Sequence, residues 1–377
     1  MKGFLKLLLG LVGTVALLVV IAAIALPLIY DTEDLKRVLA REMQEQTGRE
    51  LQIDGPLDFS VFPWLAIEVQ DLSLGNAPGF GERPFAKIGA ARVGVALVPL
   101  FRKQIAVDEV ILDGLELALT VNAQGINNWD DLSGAGDASG QPDTAEATTI
   151  SSRRIAGLNI RDAEIEFNDQ STGDHYRLSD FFMKTGPIGD GRPLPFELSA
   201  LFEDLAAGSV TDVTFAATAT LDLEQERYAF EQAKFSLNPR QADGDSGAAA
   251  IRIESPRMVA DMAAQTLDME QFSLNLASLS ASGNLSAKQI VDKPAFQGSI
   301  TIREFSPRAL MRELKMEPIA TTDADALGRV TVQKTFTGDG TSLHLPDLDM
   351  NLDQSRISGD VKVRNFNQPR IGFTLNV

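Results

Sequence analysis

The chain of 377 residues contains no cysteine. That excludes disulfides, thiolate nucleophiles and Cys-ligated metal sites. Histidine is nearly absent. His175 and His344 lie far apart in sequence, which argues against a His-based metal site or a catalytic triad. There is no G-x-S-x-G, no H-E-x-x-H and no Walker loop. Asp323-Ala324-Asp325 lacks calcium-loop spacing and reads as a solvated cap or turn. Trp64 and Trp129 read as core or turn-packing aromatics rather than ligand stackers. Basic residues are outnumbered, 34 Lys and Arg against 52 Asp and Glu, for a formal net charge of -18. No basic stripe is left to neutralise phosphates, so nucleic acid is not an expected partner. These absences point to a non-enzymatic protein with no cofactor and no metal.

What is present begins with one long apolar run, Leu7 to Ile29, which carries no charge. As a helix it rises roughly 34 Å, enough to cross a hydrocarbon core of about 30 Å. Lys2 and Lys6 precede it, and Asp31, Glu33 and Asp34 follow. The positive-inside bias leaves the N-terminus in the cytoplasm and exports everything after Tyr30. Ala23-Ile24-Ala25 would also suit signal-peptide cleavage, but signal h-regions run about 7–15 residues and this run is longer. The expectation is a retained anchor over residues 1–30.

Residues 31–48 follow with Leu35, Val38, Leu39 and Met43 at helical spacing, acids in the first turn and Gly48 as a stop. This predicts an amphipathic helix packed on the core. The period then changes to two. Over 49–132 short alternating runs predict a β-rich unit, closed by the turn-rich Gly125–Leu132 segment. Residues 133–149 are Gly, Ala, Ser, Asp and Thr with almost no large apolar residue, and read as a disordered linker or loop. From 150 to 377 nearly everything again reads as strands. A short helix at Arg308–Met316 interrupts them, with Ser306 as cap and Pro307 at its first position. The last alternation, Ile371, Phe373, Leu375, Val377, is unfinished, as in the front part of a longer protein.

One pattern recurs: apolar-x-apolar-polar-polar-apolar-x-apolar, with Asp, Gln or Glu as the second polar residue. Copies centre on Asp71, Asp162, Gln232, Gln271 and Asp347, and a partial one on Glu304. In a strict strand the doubled polar pair would turn the later apolar residues to the other face. A β-bulge absorbs the extra residue and restores the face, while bending the strand. Two short strands joined by a turn are the alternative. The bulge is preferred because such strands would often have only three residues, below the usual five or six.

The anchor followed by TGRELQIDGPLDFSVFPWLAIEVQDLSLGNAPGFGERPFAKI resembles the AsmA family of bacterial envelope proteins. So do VALVPLFRKQIAVDEVILDGLELAL with GINNWDDL, LNIRDAEIEF at Leu158–Phe167, the Thr185–Pro193 segment, and SPRALMREL at Ser306–Leu314. The resemblance implies an inner-membrane anchor and a periplasmic body related to chorein-type bridge-like lipid transfer proteins. The implied fold is mainly β: an elongated, curved antiparallel sheet forming an apolar groove, with a transmembrane helix and a few short helices. The implied partners are the inner membrane and phospholipid acyl chains, carried towards the outer membrane in support of its assembly. Other envelope proteins are partners in the alternative, a scaffold that moves no lipid. From periodicity alone the same alternation also fits an ordinary β-sandwich core. On the lipid reading, Leu57, Phe59, Ile67, Val69, Val93, Val95, Leu115, Leu117 and Leu119 are the groove candidates.

Overall fold

The computed structural model describes residues 32–60, 64–96, 106–133, 154–188, 191–222, 225–241, 249–317, 319–323, 325–365 and 370–376. The apolar run Leu7–Ile29 and the 134–149 part of the linker lie outside them. Among the described residues no helix is long and apolar enough to cross a membrane. The chain divides into two compact units, Met1–Gly208 and Ser209–Val377.

In the first unit the helix α1 (Thr32–Thr47) starts with Glu33 and Asp34 in its first turn, where the helix dipole favours acids. It ends where Gly48 takes φ +71° and donates its N–H to the Gln44 carbonyl at 2.9 Å. Strands β1 (Leu51–Ile53) and β2 (Leu57–Ser60) both pair with β3 (Trp64–Leu74). Then follow β4 (Ala86–Ala96), β5 (Ala106–Val121), β6 (Arg154–Asp169), β7 (Asp174–Thr185) and β8 (Leu194–Asp204). Each pairs with its predecessor, and all pairs are antiparallel except one. Strands β5 and β6 run parallel, Ala106 level with Arg154 and Val121 with Asp169. This corrects the purely antiparallel expectation. A parallel neighbour needs a long return connection, and the segment from 122 to 153 supplies it.

The core of this unit lies between α1 and one face of the sheet. Leu35 is buried with Leu57, Ile67, Ile88, Val93, Leu112, Leu115 and Ile160. Leu39 and Met43, one and two turns further on, pack on a second cluster of Leu51, Leu74, Phe85, Leu117, Leu119 and Ile165, joined by Trp129 and Leu132 of the crossover.

The second unit is a meander of ten strands: β9 (Ser209–Asp222), β10 (Arg227–Gln241), β11 (Ile251–Asp261), β12 (Thr266–Leu276), β13 (Leu279–Lys288), β14 (Ala295–Phe305), β15 (Val330–Asp339), β16 (Ser342–Leu352), β17 (Ser355–Arg364) and β18 (Arg370–Asn376). Every consecutive pair is antiparallel. Helix α2 (Pro307–Glu313) interrupts it, capped by Ser306, whose hydroxyl accepts from Ala309 N–H at 3.2 Å. Aspartates set several turns in both units. Asp169 Oδ1 accepts from Ser171 and Thr172 N–H before Gly173 at φ +83°, and Asp261 Oδ1 accepts from Ala264 N–H before Gln265 at φ +53°.

Candidate functional site

The two units treat their apolar faces differently. In the first unit the face is packed shut beneath α1. Of the nine groove candidates, Leu57, Ile67, Val93 and Leu115 are buried in the cluster that contains Leu35, and Val69 packs half-buried against it. Leu117 and Leu119 are buried in the second cluster. Val95 is buried with Val107 as its cross-strand partner, while Phe59 is 42% exposed. Leu115 is only 1% exposed. The stripe of α1 that covers these positions was visible in the sequence. The strands it would cover were not.

In the second unit the register lines apolar residues up across the strands. One row passes from Phe215 through Phe235, Ile253, Leu274, Ala281, Ile302, Val332 and Met350 to Ile357. A second runs from Ala219 through Phe230, Met258, Met269 and Leu285 to Gly298 and Phe336. In the first row Ala281 and Ile357 alone are fully buried. The phenylalanines, leucine, valine, methionine and other isoleucines remain half-buried. A second layer would drive such side chains out of water altogether. Among the described residues neither large core cluster includes any residue of β9–β18, and α2 buries none of its own. The face is an apolar strip of single-sheet thickness.

Backbone irregularities cross both units. Asp71, Asp162, Gln232 and Asp347 sit inside strands at φ 51°, 50°, 53° and 50°. Gln271 has no positive φ, but the register shifts beside it between Met269 and Phe272. Register also shifts between Ile160 and Ala163, Glu231 and Lys234, and Leu345 and Leu348. Around Asp162 the effect on facing is plain, since Leu158, Ile160, Ala163 and Ile165 are all buried. In the first unit these positions form a line. The pairs Gln70–Ala90 and Leu72–Ile88 set Asp71 opposite Gly89, Gly89 faces Gly114, and Gly114 is level with Asp162. Gly114 has φ +63°, and a Cβ on Gly89 would come within 3.2 Å of the Asp113 carbonyl, so glycine suits both. In the second unit Gln232 faces Pro256, which faces Gln271. The buried Ser255 hydroxyl donates within this crease, with the carbonyls of Gln271 at 2.7 Å and Arg257 at 2.9 Å as acceptors.

The first unit is closed at one end by a polar latch. Arg49 is buried. Its Nε and Nη2 reach the Asp131 carboxylate at 2.8 and 2.5 Å, Nη2 also donates to the Asn128 carbonyl at 2.7 Å, and the guanidinium lies 4.6 Å from the Phe85 ring centroid. Buried Asn128 accepts from Thr120 N–H and donates to Asn76 Oδ1 and the Ala118 carbonyl, each at 2.9 Å. The segments TGRELQ and GINNWDDL, which carry much of the family likeness, therefore meet in space.

A family model described as the AsmA family matches residues 1–369. The chain belongs to the AsmA family. Protein AsmA of Escherichia coli (strain K12) is 32% identical over 117 residues, which are 31% of this chain and 19% of that protein. The chain thus matches only about a fifth of the length of this curated AsmA relative. No solved structure matches.

In this AsmA-family chain His175 contacts Glu166 at 2.9 Å, and His344 contacts Asp360. Burial pushes the Glu166 carboxyl up, but hydrogen bonds from His175 and Arg83 outweigh it and hold the group below its ordinary range. Among the described residues no group of three or more His, Asp or Glu could hold a metal ion. Sequence reasoning missed the register shifts between Arg92 and Val95 and between Val332 and Thr337, and the bulge residue Asp180, at φ 49° with a register shift from Ser179 to Phe182. For Asp180 the signal was there: Tyr176, Leu178, Ser179-Asp180, Phe181 and Met183 repeat the slipped pattern. It also missed Pro256, a proline inside an alternating run, which a strand accepts at a bulge.

Proposed function

We propose that the chain is an inner-membrane-anchored periplasmic protein whose second unit holds phospholipid acyl chains along its open apolar strip. On this reading it carries them towards the outer membrane and so supports outer-membrane assembly. Leu7–Ile29 is the anchor, and the first unit, which follows it in the chain, is sealed. The observation that carries the reading is the contrast between the two faces: core-level burial in β1–β8 against half-exposed rows in β9–β18. Each methylene leaving water contributes about 0.8 kcal/mol, so ten of them contribute about 8 kcal/mol with no directional contact. Partition of that kind needs no catalytic group, and the reading assigns none. Family membership supports an envelope role of this kind.

Photo-crosslinking residues at Phe235, Leu274 and Ile302, with Leu57 and Leu115 as controls, test it in living cells. Phospholipid adducts at the first three and none at the controls are expected. Absence of adducts at all five removes the conduit. A second reading, a scaffold for other envelope proteins, draws on Ile371 and Phe373, which are 63% and 67% exposed on β18. Protein adducts at those two without lipid adducts elsewhere would favour it.

A further inference from the structure

We infer that Arg364 and Arg370 form a binding site for a phosphate-bearing anion in the cleft beside β15–β18. Composition makes this cleft unusual. In a chain of net charge -18, residues 355–376 hold Arg356, Lys362, Arg364 and Arg370 against Asp360 as their one carboxylate. These cations, with Lys334 and His344, line a concavity of about 1680 Å³.

Pairing separates the two arginines from the rest. Arg356 binds both oxygens of Asp349, at 2.8 and 2.6 Å, and Asp360 is occupied by His344. Asp339 is held by the backbone and hydroxyls of Thr341 and Ser342. Asp360 and Asp347 lie at least four residues along their strands from the level of Arg364, which is about 13 Å. Arg364 has Ser342 opposite on one side and Arg370 directly opposite on the other. Cross-strand partners hold their Cβ atoms about 5 Å apart, and like charges so placed destabilise the pair. Among the described residues neither arginine side chain has an ion pair or hydrogen bond. A phosphate between the two forks relieves that repulsion and matches their geometry.

A lipid headgroup and free phosphate share this chemistry. Exposed Ile371 and Phe373 alternate with Arg370 and so lie on the opposite face of the strand, level with Val363 and Val361 on the side of the apolar strip, so a lipid would have its headgroup and its acyl chains on different faces of β18. A lipid source rests on the proposed trough, whereas the anion site itself does not.

The test uses the purified full chain in maltoside detergent at fixed ionic strength. Melting is followed while inorganic phosphate or short-chain dihexanoylphosphatidylglycerol is titrated. Both should raise the melting temperature of the wild type. R364Q/R370Q should weaken the response about tenfold or more, and R364K/R370K should retain part of it. Half-saturation by the lipid about tenfold below that of phosphate assigns a headgroup, and equal values assign free phosphate. No response in the wild type, or the same response in R364Q/R370Q, overturns the site. Should that double variant fail to fold, R370Q alone on the exposed strand serves in its place. Loss of the phosphate response leaves acyl crosslinking at Phe235 and Leu274 untouched, so the two readings fail separately.

Discussion

Arg49 and Asp131, 82 residues apart, form a two-pronged ion pair with the arginine side chain wholly buried and the aspartate 36% exposed. The asymmetry makes the two halves of the pair unequal. Asp131→Ala strands a buried guanidinium and should cost about 3–5 kcal/mol. Arg49→Met removes the charge itself and leaves an aspartate that water can reach, so its cost should be smaller. Urea denaturation of the two variants checks the order. Equal costs would mean that the charge pair does not govern the site.

The sealed and open faces should respond differently to one chemical change. Leu115→Asp puts a carboxylate where the side chain is 1% exposed, and should unfold the first unit or cost more than about 4 kcal/mol. Leu274→Asp lies on the half-exposed row, where water can reach the charge, and should cost about 1–2 kcal/mol. Similar melting behaviour of the two would place a second layer over β9–β18.

At Asp162 the backbone, rather than the carboxylate, sets the requirement. With φ at 50°, Asp162→Val should destabilise by about 1–2 kcal/mol, whereas Asp162→Gly should change stability by a few tenths in either direction. Thermal melts of the pair decide it. A neutral valine would show that the bulge relaxes at little cost.

Glu166 links stability to pH. Its burial raises its pKa, but the bonds from His175 and Arg83 lower it further, so the folded value lies below the ordinary 4.5. A depressed carboxylate adds stability above its unfolded pKa and loses it as pH falls through the folded one. The advantage of wild type over Glu166→Gln should therefore be full well above the ordinary 4.5 and be lost as pH falls through the lower folded value. An advantage that instead grows on acidification would contradict this assignment.

Much of this was legible in the residues. Period-two alternation marked the strands, and the doubled polar pair marked Asp71, Asp162, Gln232 and Asp347, because a polar residue held at positive φ inside a strand leaves a local trace in the alternation. What could not be read was pairing at a distance. Nothing near Val121 or Arg154 states that β5 and β6 run side by side in the same direction. Asn128 and Asp131 look like ordinary turn residues until Arg49 is seen reaching them. The stripe on α1 was evident, yet only the register of β2–β5 shows that it covers Leu57 and Leu115. Conversely, the apolar strip exists only as a register, each strand from β9 to β17 supplying one or two of its residues.

The meander of the second unit has a consequence for how the chain is made. Each of its strands bonds to the strand just before and just after it, so its order is nearest-neighbour in character. Such a ladder can nucleate at any hairpin and lengthen one strand at a time with little loop-closure entropy. The first unit cannot grow that way, because Arg49 has no counter-charge until Asp131 has arrived. A chain emerging N-terminus first would thus wait on its first unit and then add strands one at a time, and hairpins gained or lost over evolutionary time would lengthen or shorten the second unit without disturbing what had already folded.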